Sequence, residues 1–391
     1  MAKHLKTSLV SLLPLLPFLV VTVSAGGIIP SPMELTKIAT ASKRRILTLS
    51  CSVTCSVPQH RLRSLVLRNP GSVSRAMTTL RVFDSRRKSC YRIHVSGGGR
   101  VLVRASFYYG NYDGRSFPPS FALQLDANHW TTVVTSLDQP VSYEAIYQVR
   151  GDATSVCVAP TWPDQLPFVS AIEVRSLEWS MYAHVHPSRA LFLQARKAFG
   201  AQQIVRYADD AYDRIWEPSI ISNGLTALAA SDTRFNVPAL MDKPPALVLQ
   251  TAIAPTQPSS SLILPTYLST STGPIYVNTY FSEMSELEST QMRSFEIYVD
   301  GVNVSAPVSP PYQDFIELPF PNITANSTTA IELRATADST LPPIISAMEV
   351  FLVGASLSNG TNADDGTSLI ETSSNVDTRC SKRAIGNAKN S

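Results

Sequence analysis

The chain has 391 residues, 44% apolar and 16% charged, enough for two to three units of ordinary domain size and unlike a disordered, collagen-like or coiled-coil chain. Its 28 prolines against 17 glycines work against long helices, because each proline lacks an amide donor and breaks the helical ladder, so the expected class is all-β. The formal charge of +3 falls to +1 without Lys3 and Lys6 (33 minus 2 bases against 30 acids), which leaves no electrostatic footprint for nucleic acid.

In chain order, Lys3, His4 and Lys6 precede an apolar stretch from Leu9 to Val21 and a small-residue end, Val23-Ser24-Ala25. This is the pattern of a secretory signal, with cleavage expected after Ala25. Pro14 and Pro17 interrupt the stretch, which is shorter than the roughly 20 residues of a membrane span. The expected location is therefore secreted, extracellular or cell-surface associated. Residues 26–74 read as a divergent N-terminal segment. Of five cysteines (Cys51, Cys55, Cys90, Cys157, Cys380), none has the spacing of a zinc site. Cys90 and Cys157 lie in strand-like segments and are the natural bridge in an oxidising compartment; two reduced core cysteines are the alternative, and the odd count leaves one thiol free or shared between chains.

The chain then repeats itself. Val101–Phe107 aligns with Ile275–Phe281 and Phe121–Asp126 with Phe295–Asp300, both at an offset of 174 residues (281 minus 107, 295 minus 121). Leu166 to Val174 matches Leu341 to Val350 after small insertions. Phe121, Leu123, Leu125 and their counterparts Phe295, Ile297, Val299 alternate with polar residues, the pattern of a strand with one buried face. Two tandem β-sandwiches follow, at residues 75–180 and 181–353. Gly97-Gly98-Gly99 reads as a hairpin turn between Arg92–Val95 and Arg100–Val103. Residues 188–199 join the domains, with a periodicity that fits a helix or a strand. Gly354 to Ser391 is too polar to bury a core and reads as a disordered tail. Sequons at Asn303, Asn322, Asn326 and Asn359 mark the C-terminal third as a place for N-linked glycans if the chain is exported.

Leu80 to Tyr91 with Leu102 to Gly114, then Arg206-Tyr-Ala-Asp-Asp-Ala-Tyr-Asp-Arg-Ile-Trp216, Tyr280-Phe-Ser-Glu, Phe295-Glu-Ile-Tyr and Leu341 to Val350 resemble, in order, the malectin-like extracellular domain of plant receptor-like kinases. The resemblance implies two malectin-type, jelly-roll-like sandwiches that sense wall carbohydrate or secreted peptides outside the cell. The family's opening Ile-Asp-Cys-Gly strand is not recognisable in residues 26–74, and the leucine-rich repeats, spanning helix and kinase that commonly follow are not found.

A sugar site in a sandwich offers aromatic faces and a few amide or carboxylate groups. Tyr108, Tyr109, Asn111, Tyr112 and Asp113 follow a predicted strand and form the first candidate. Their alternative reading is a glycine-bounded turn whose Asn and Asp satisfy their own backbone. Tyr280 and Glu283 occupy the equivalent place in the second copy, with ordinary core and rim roles as the alternative. Asp209, Asp210, Asp213 and Arg214 beside Trp216 form the densest charged group, read as salt bridges rather than as the acid pair of a glycosidase. His184-Val185-His186 reads as a linker strand, and no cofactor or metal is called for. The expected function is non-catalytic recognition of wall carbohydrate or a secreted peptide. A structural or decoy partner of full-length receptor kinases is the alternative, and a polysaccharide-acting enzyme the third.

Overall fold

The computed structural model describes residues 73–84, 88–95, 99–219, 222–231, 242–268 and 272–357 in full, with the backbone of strands Leu19–Ser24, Arg45–Ser50 and Arg63–Val66. Two four-stranded sheets lie at the two ends of the molecule. Ser89–His94, Ala153–Pro160, Ser120–Leu125 and Asn128–Val134 form the first in that order; Leu262–Leu264, Ile331–Ala335, Phe295–Val299 and Val302–Asn303 form the second. Both face one long sheet that runs through the whole molecule. Its order is Arg45–Ser50, Leu19–Ser24, Ala171–Ser176, Gly99–Phe107, Val141–Val149, Arg189–Ala198, Ala347–Ser356, Gly273–Phe281 and Ile316–Ala325.

The sequence repeat maps onto this geometry. Gly99–Phe107 and Gly273–Phe281 are corresponding strands of the long sheet. Val101, Val103, Ala105 and Phe107 pack with Phe121, Leu123 and Leu125 in the first core. Ile275, Val277 and Phe281 pack with Phe295 and Ile297 in the second. Even the turns repeat: Asp126-Ala127 and Asp300-Gly301 are two-residue hairpin loops with positive φ at both positions, the geometry that matches the twist of the flanking strands. In each, the Asp Oδ1 accepts the backbone N–H of a neighbouring segment, from Ser155 at 2.7 Å and from Ala330 at 2.9 Å.

The segment joining the copies is neither a helix nor a free linker. Arg189–Ala198 pairs with the first sandwich through Leu191↔Ile146 and Phe192↔Ala145, and along most of its length with Ala347–Ser356 of the second. Two readings are corrected. The hairpin expected at the glycine run 97–99 is not formed, because Ser89–His94 pairs with Ala153–Pro160 whereas Gly99–Phe107 pairs with Ala171–Ser176 and Val141–Val149, so the strands on either side belong to different sheets. His184 and His186 lie in a turn rather than a strand, both exposed, with the His186 ring hydrogen-bonded to Ser188 Oγ at 2.8 Å.

Cys90 and Cys157 are bonded, and they are directly paired residues of adjacent strands. Ser89–His94 is the edge of its sheet, so the bridge staples an edge strand to its neighbour. Closing a loop across 67 residues of separation stabilises the fold by about 4 kcal/mol in the chain-entropy picture. Gly354–Ser356, read from sequence as the start of the tail, instead end the strand Ala347–Ser356, and Leu357 is buried in the first core; Cys51, Cys55, Cys380, Asn359 and the rest of the tail lie outside the described residues. So does the side-chain environment of the leader, although the backbone of Leu19–Ser24 pairs antiparallel with Ala171–Ser176.

Candidate functional site

The first candidate loop is built as a turn. Tyr108 and Tyr109 are buried, Tyr109 completely, and Tyr112 is half-buried with its ring edge-on to Tyr109 and Phe168 at 5.3 and 5.7 Å. These rings complete the end of the first core and leave no open face for a sugar. Gly110, Asn111 and Gly114 take positive φ, and the polar groups turn inward on the loop. Asn111 Oδ1 accepts the Ser116 N–H at 2.8 Å, Asp113 Oδ1 accepts the Arg115 N–H at 3.1 Å, and the Tyr109 hydroxyl donates to both side chains. Burial and that bond to Asp113 push the Tyr109 hydroxyl up to about 12. The turn reading thus describes the observed bonding of these five residues.

What this turn presents is the segment after it. Phe117, whose N–H donates to the Tyr109 hydroxyl at 3.4 Å, is 58% exposed. Trp162, 64% exposed, stands on the neighbouring loop. That loop is fixed to the first by two bonds at Ser120: the Thr161 hydroxyl donates to its carbonyl at 2.9 Å, and its N–H donates to Gln165 Oε1 at 2.7 Å. Phe117 and Trp162 thus stand in water on two loops tied to each other by hydrogen bonds, with Arg115 and Asp164 of these loops exposed as well. Sequence reading passed over both residues because neither belongs to an alternating strand. The available signal was an aromatic followed by proline in each loop, Phe117-Pro118-Pro119 and Trp162-Pro163.

The second-copy candidates are equally interior. Tyr280 is fully buried, and its hydroxyl donates to Glu349 Oε2 at 2.9 Å. Glu283 is buried against Arg293, whose Nε donates to Glu283 Oε2 at 2.6 Å.

Tyr280 belongs to a larger arrangement on the outer face of the long sheet. Side chains from successive strands form a row of alternating charge that crosses the domain junction. Glu173 meets Arg104 at 3.0 Å, Arg104 meets Glu144 at 2.9 Å, Glu144 meets Arg196 at 2.7 Å, and Arg196 meets Glu349 at 2.6 Å. Burial opposes the charge of Glu144, but Arg196 and Arg104 outweigh it and hold the carboxyl below its ordinary range.

The motif from Arg206 to Trp216 lies over this row and locks it. Asp213 accepts two bonds from Arg206, at 2.8 and 2.9 Å, and also bonds Arg175 and Arg104. Burial would raise the Asp213 carboxyl, yet these guanidinium groups bring it down to about 2. Asp210 binds the Arg214 Nε and the Trp216 indole N–H, both at 2.8 Å, and Arg214 stacks over the Trp216 ring at 5.3 Å. Asp210 and Asp213, buried and bonded to guanidinium groups, take with Arg214 the ion-pairing role assigned from sequence, whereas Asp209 is exposed.

At the far end the row changes character. Asp242 and Glu317 share the Asn278 amide, whose Nδ2 lies 2.8 Å from Asp242 Oδ2 and 2.6 Å from Glu317 Oε1. Burial first, and then the charge of Glu349, raises Asp242 to about 6, while burial and then the charge of Asp242 raise Glu317 to about 8. Both carboxyls are thereby pushed toward sharing a proton.

The family description of the malectin-like domain matches residues 66–353. An uncharacterized protein of Arabidopsis thaliana is 36% identical over 293 residues, covering 73% of this chain and 58% of that one. A leucine-rich repeat receptor-like serine/threonine-protein kinase of the same plant is 30% identical over 303 residues, 73% of this chain and 33% of the kinase. The chain thus spans somewhat over half of the first relative and a third of the second. Among solved structures, the ANXUR1 extracellular domain from Arabidopsis thaliana superposes with a TM-score of 0.65 at 15% identity over 90% of this chain and 98% of its own. A chain in the crystal structure of the plant peptide RALF23 in complex with FER and LLG2 gives 0.64 at 17% identity, over 89% and 96%. These identities show a shared fold. The chain belongs to the malectin-like domain family, and no helix among its described residues is long and apolar enough to cross a membrane.

Proposed function

We propose that this malectin-like chain is an extracellular, non-catalytic recognition module, and that it binds carbohydrate through the loop end of its first sandwich. The observation that carries the reading is the pair of exposed rings, Phe117 and Trp162, on loops whose backbones are tied down at Tyr109 and Ser120. An exposed ring on a fixed loop offers a flat apolar face at little entropic cost, which is what the apolar side of a pyranose requires. Arg115 and Asp164 lie in the same loops and supply polar groups for hydroxyls.

A second reading, recognition of a secreted peptide, draws on the neighbour whose structure is a complex with the peptide RALF23. The same two rings would serve as anchors there, since aromatic residues dominate the energetics of peptide and protein interfaces. Membrane receptor kinases, the class of several relatives, are the natural partners for a chain of this kind.

A glycan array of plant wall oligosaccharides, probed with the secreted protein, tests the proposal. Binding that survives Tyr108→Phe but falls about tenfold or more in Trp162→Ala, at unchanged melting temperature, supports it; loss of one stacking face is worth about 1–2 kcal/mol. Array signals unaffected by both Phe117→Ala and Trp162→Ala would overturn it, and binding of peptide pools alone would move the assignment to the second reading. Release of reducing sugar from any array ligand would refute the non-catalytic part. Export is checked on the same preparation: its N-terminus should be Gly26, and retention of Leu19–Ser24 would refute the leader.

A further inference from the structure

The sequons of the second sandwich are not scattered. Val302–Asn303 is the last strand of the four-stranded sheet, and Ile316–Ala325, which contains Asn322, is the last strand of the long sheet. The two exposed asparagines therefore stand on the two terminal strands of one sandwich. A terminal strand is a template for pairing with another chain, and proteins protect such edges with bulges, prolines, charges or cover.

Each edge shows a partial defence and a gap. Ile316–Ala325 carries Pro319 and Pro321 and a register shift opposite Tyr276, and Asn322 lies at that irregularity, exposed. Val302–Asn303 carries neither proline nor charge. Its apolar side chains face water, with Val302 65% and Val304 38% exposed on either side of Asn303. The Asn303 Oδ1 accepts the Ser305 N–H at 3.0 Å, which sets the side chain in a local turn, and its amide hydrogen-bonds the Tyr298 hydroxyl of the neighbouring strand. Asn326 contrasts: it is half-buried, its Oδ1 accepts from Thr328 at 2.8 Å, and its Nδ2 reaches Thr272 Oγ1 at 3.5 Å.

We propose that Asn303 and Asn322 carry N-linked glycans that cover the two terminal strands of the second sandwich and keep the protein from associating edge to edge. The proposal rests on the export reading above. The co-substrate is an oligosaccharide on a lipid pyrophosphate. The amide nitrogen forms a bond to the anomeric carbon, the bond from that carbon to the pyrophosphate oxygen breaks with its electron pair leaving on the lipid pyrophosphate, and the amide loses one proton. The attached glycan places a hydrated, branched chain over Val302 and Val304 at one edge and over the bulge at the other. An incoming strand would have to displace it.

The test is expression of the full chain in a secretory eukaryotic host, once with its own N-terminus and once behind an added cleavable leader. Site mapping after N-glycosidase in heavy-oxygen water should show Asn303 and Asn322 converted, with Asn326 mostly unmodified. Glycans in the leader-fused product alone would overturn the export reading and leave the site assignment standing. Absence of modification at Asn303 and Asn322 in the leader-fused product would overturn the assignment itself. For the shielding role, sedimentation velocity on the Asn303→Gln/Asn322→Gln double variant should show self-association at a concentration about tenfold below wild type, equivalent to roughly 1.4 kcal/mol. Wild-type protein trimmed enzymatically to single sugars provides the same comparison without substitution. Both preparations remaining monomeric at wild-type concentrations would overturn the shielding role.

Discussion

Replacing Arg196 with Met tests whether the charged row holds the two sandwiches together. The guanidinium is buried and bonds Glu144 and Glu349, one residue from each sandwich, at 2.7 and 2.6 Å, and lies over Trp216 at 5.6 Å. Methionine keeps the apolar stem and removes the charge. Breaking one partner of a buried ion pair costs about 3–5 kcal/mol, because the remaining charge stays in the interior. Glu144 keeps Arg104 and Glu349 keeps the hydroxyls of Tyr182 and Tyr280, so the lower half of that range is expected, about 3 kcal/mol. Lys197→Met on the same strand is the control. Its partner Glu217 is largely exposed, and such pairs are worth about 0–1 kcal/mol. Denaturant unfolding followed by the fluorescence of Trp216 reads both variants. The sign with pH is fixed by Glu144, whose carboxyl Arg196 helps hold below its ordinary range. Without Arg196 that pull on Glu144 is weakened, and a lowered carboxyl contributes stability above its unfolded value that is lost as pH falls below about 4, so the deficit of the variant should shrink between pH 8 and pH 3. A loss below 1 kcal/mol at pH 8, or an equal loss at both pH values, would refute the reasoning.

Three further outcomes are expected. Cys157→Ser should lose about 4 kcal/mol of stability relative to the oxidised protein and leave Cys90 open to alkylation; quantitative alkylation of both thiols in native wild type would refute the bridge. Ala127→Gly should gain about 0.5 kcal/mol, because Ala127 takes φ +63° where the second copy has Gly301, and relief of left-handed strain exceeds the entropy glycine adds to the unfolded chain; a lowered melting temperature would contradict it. Since Asp242 and Glu317 are raised to about 6 and about 8, the folded state binds protons more tightly than the unfolded one. Their contribution is fully present below about pH 4 and is lost as pH rises through 6 to 8. Asp242→Asn should flatten that fall, and an unchanged pH slope of melting temperature would count against the shared proton.

The β class, the two copies and the bridge were legible because each leaves a local or periodic mark. Phe121, Leu123 and Leu125 alternate with polar residues, and their second-copy partners do so at a constant offset. The connection at residues 97–99 was misread because a glycine run between two strands looks the same whether the strands pair with each other or with others; pairing is set by Ala153–Pro160 and Val141–Val149, far along the chain. The same limit explains the aromatic candidates. Tyr108 and Tyr109 extend the strand Gly99–Phe107 past its last ladder pair, and nothing in their neighbours says that Phe168 closes the core over Tyr109 and Tyr112. Which rings reach water depends on where the strand Phe168–Val169 returns, and that is a long-range fact.

The charged row makes the point more generally. Arg104, Glu144, Arg196 and Glu349 each sit within a strand of the long sheet beside apolar neighbours, and each alone looks like a solvent-facing position. Buried on both faces, the long sheet has no solvent-facing side at the junction, so a single charge there would cost several kcal/mol. It becomes tolerable only when neighbouring strands supply the opposite sign in register and the Arg206–Trp216 segment covers the row. The four charges and their cover are therefore one unit spread over five stretches of sequence. It ties the two sandwiches together through Arg196, which bonds Glu144 of one and Glu349 of the other.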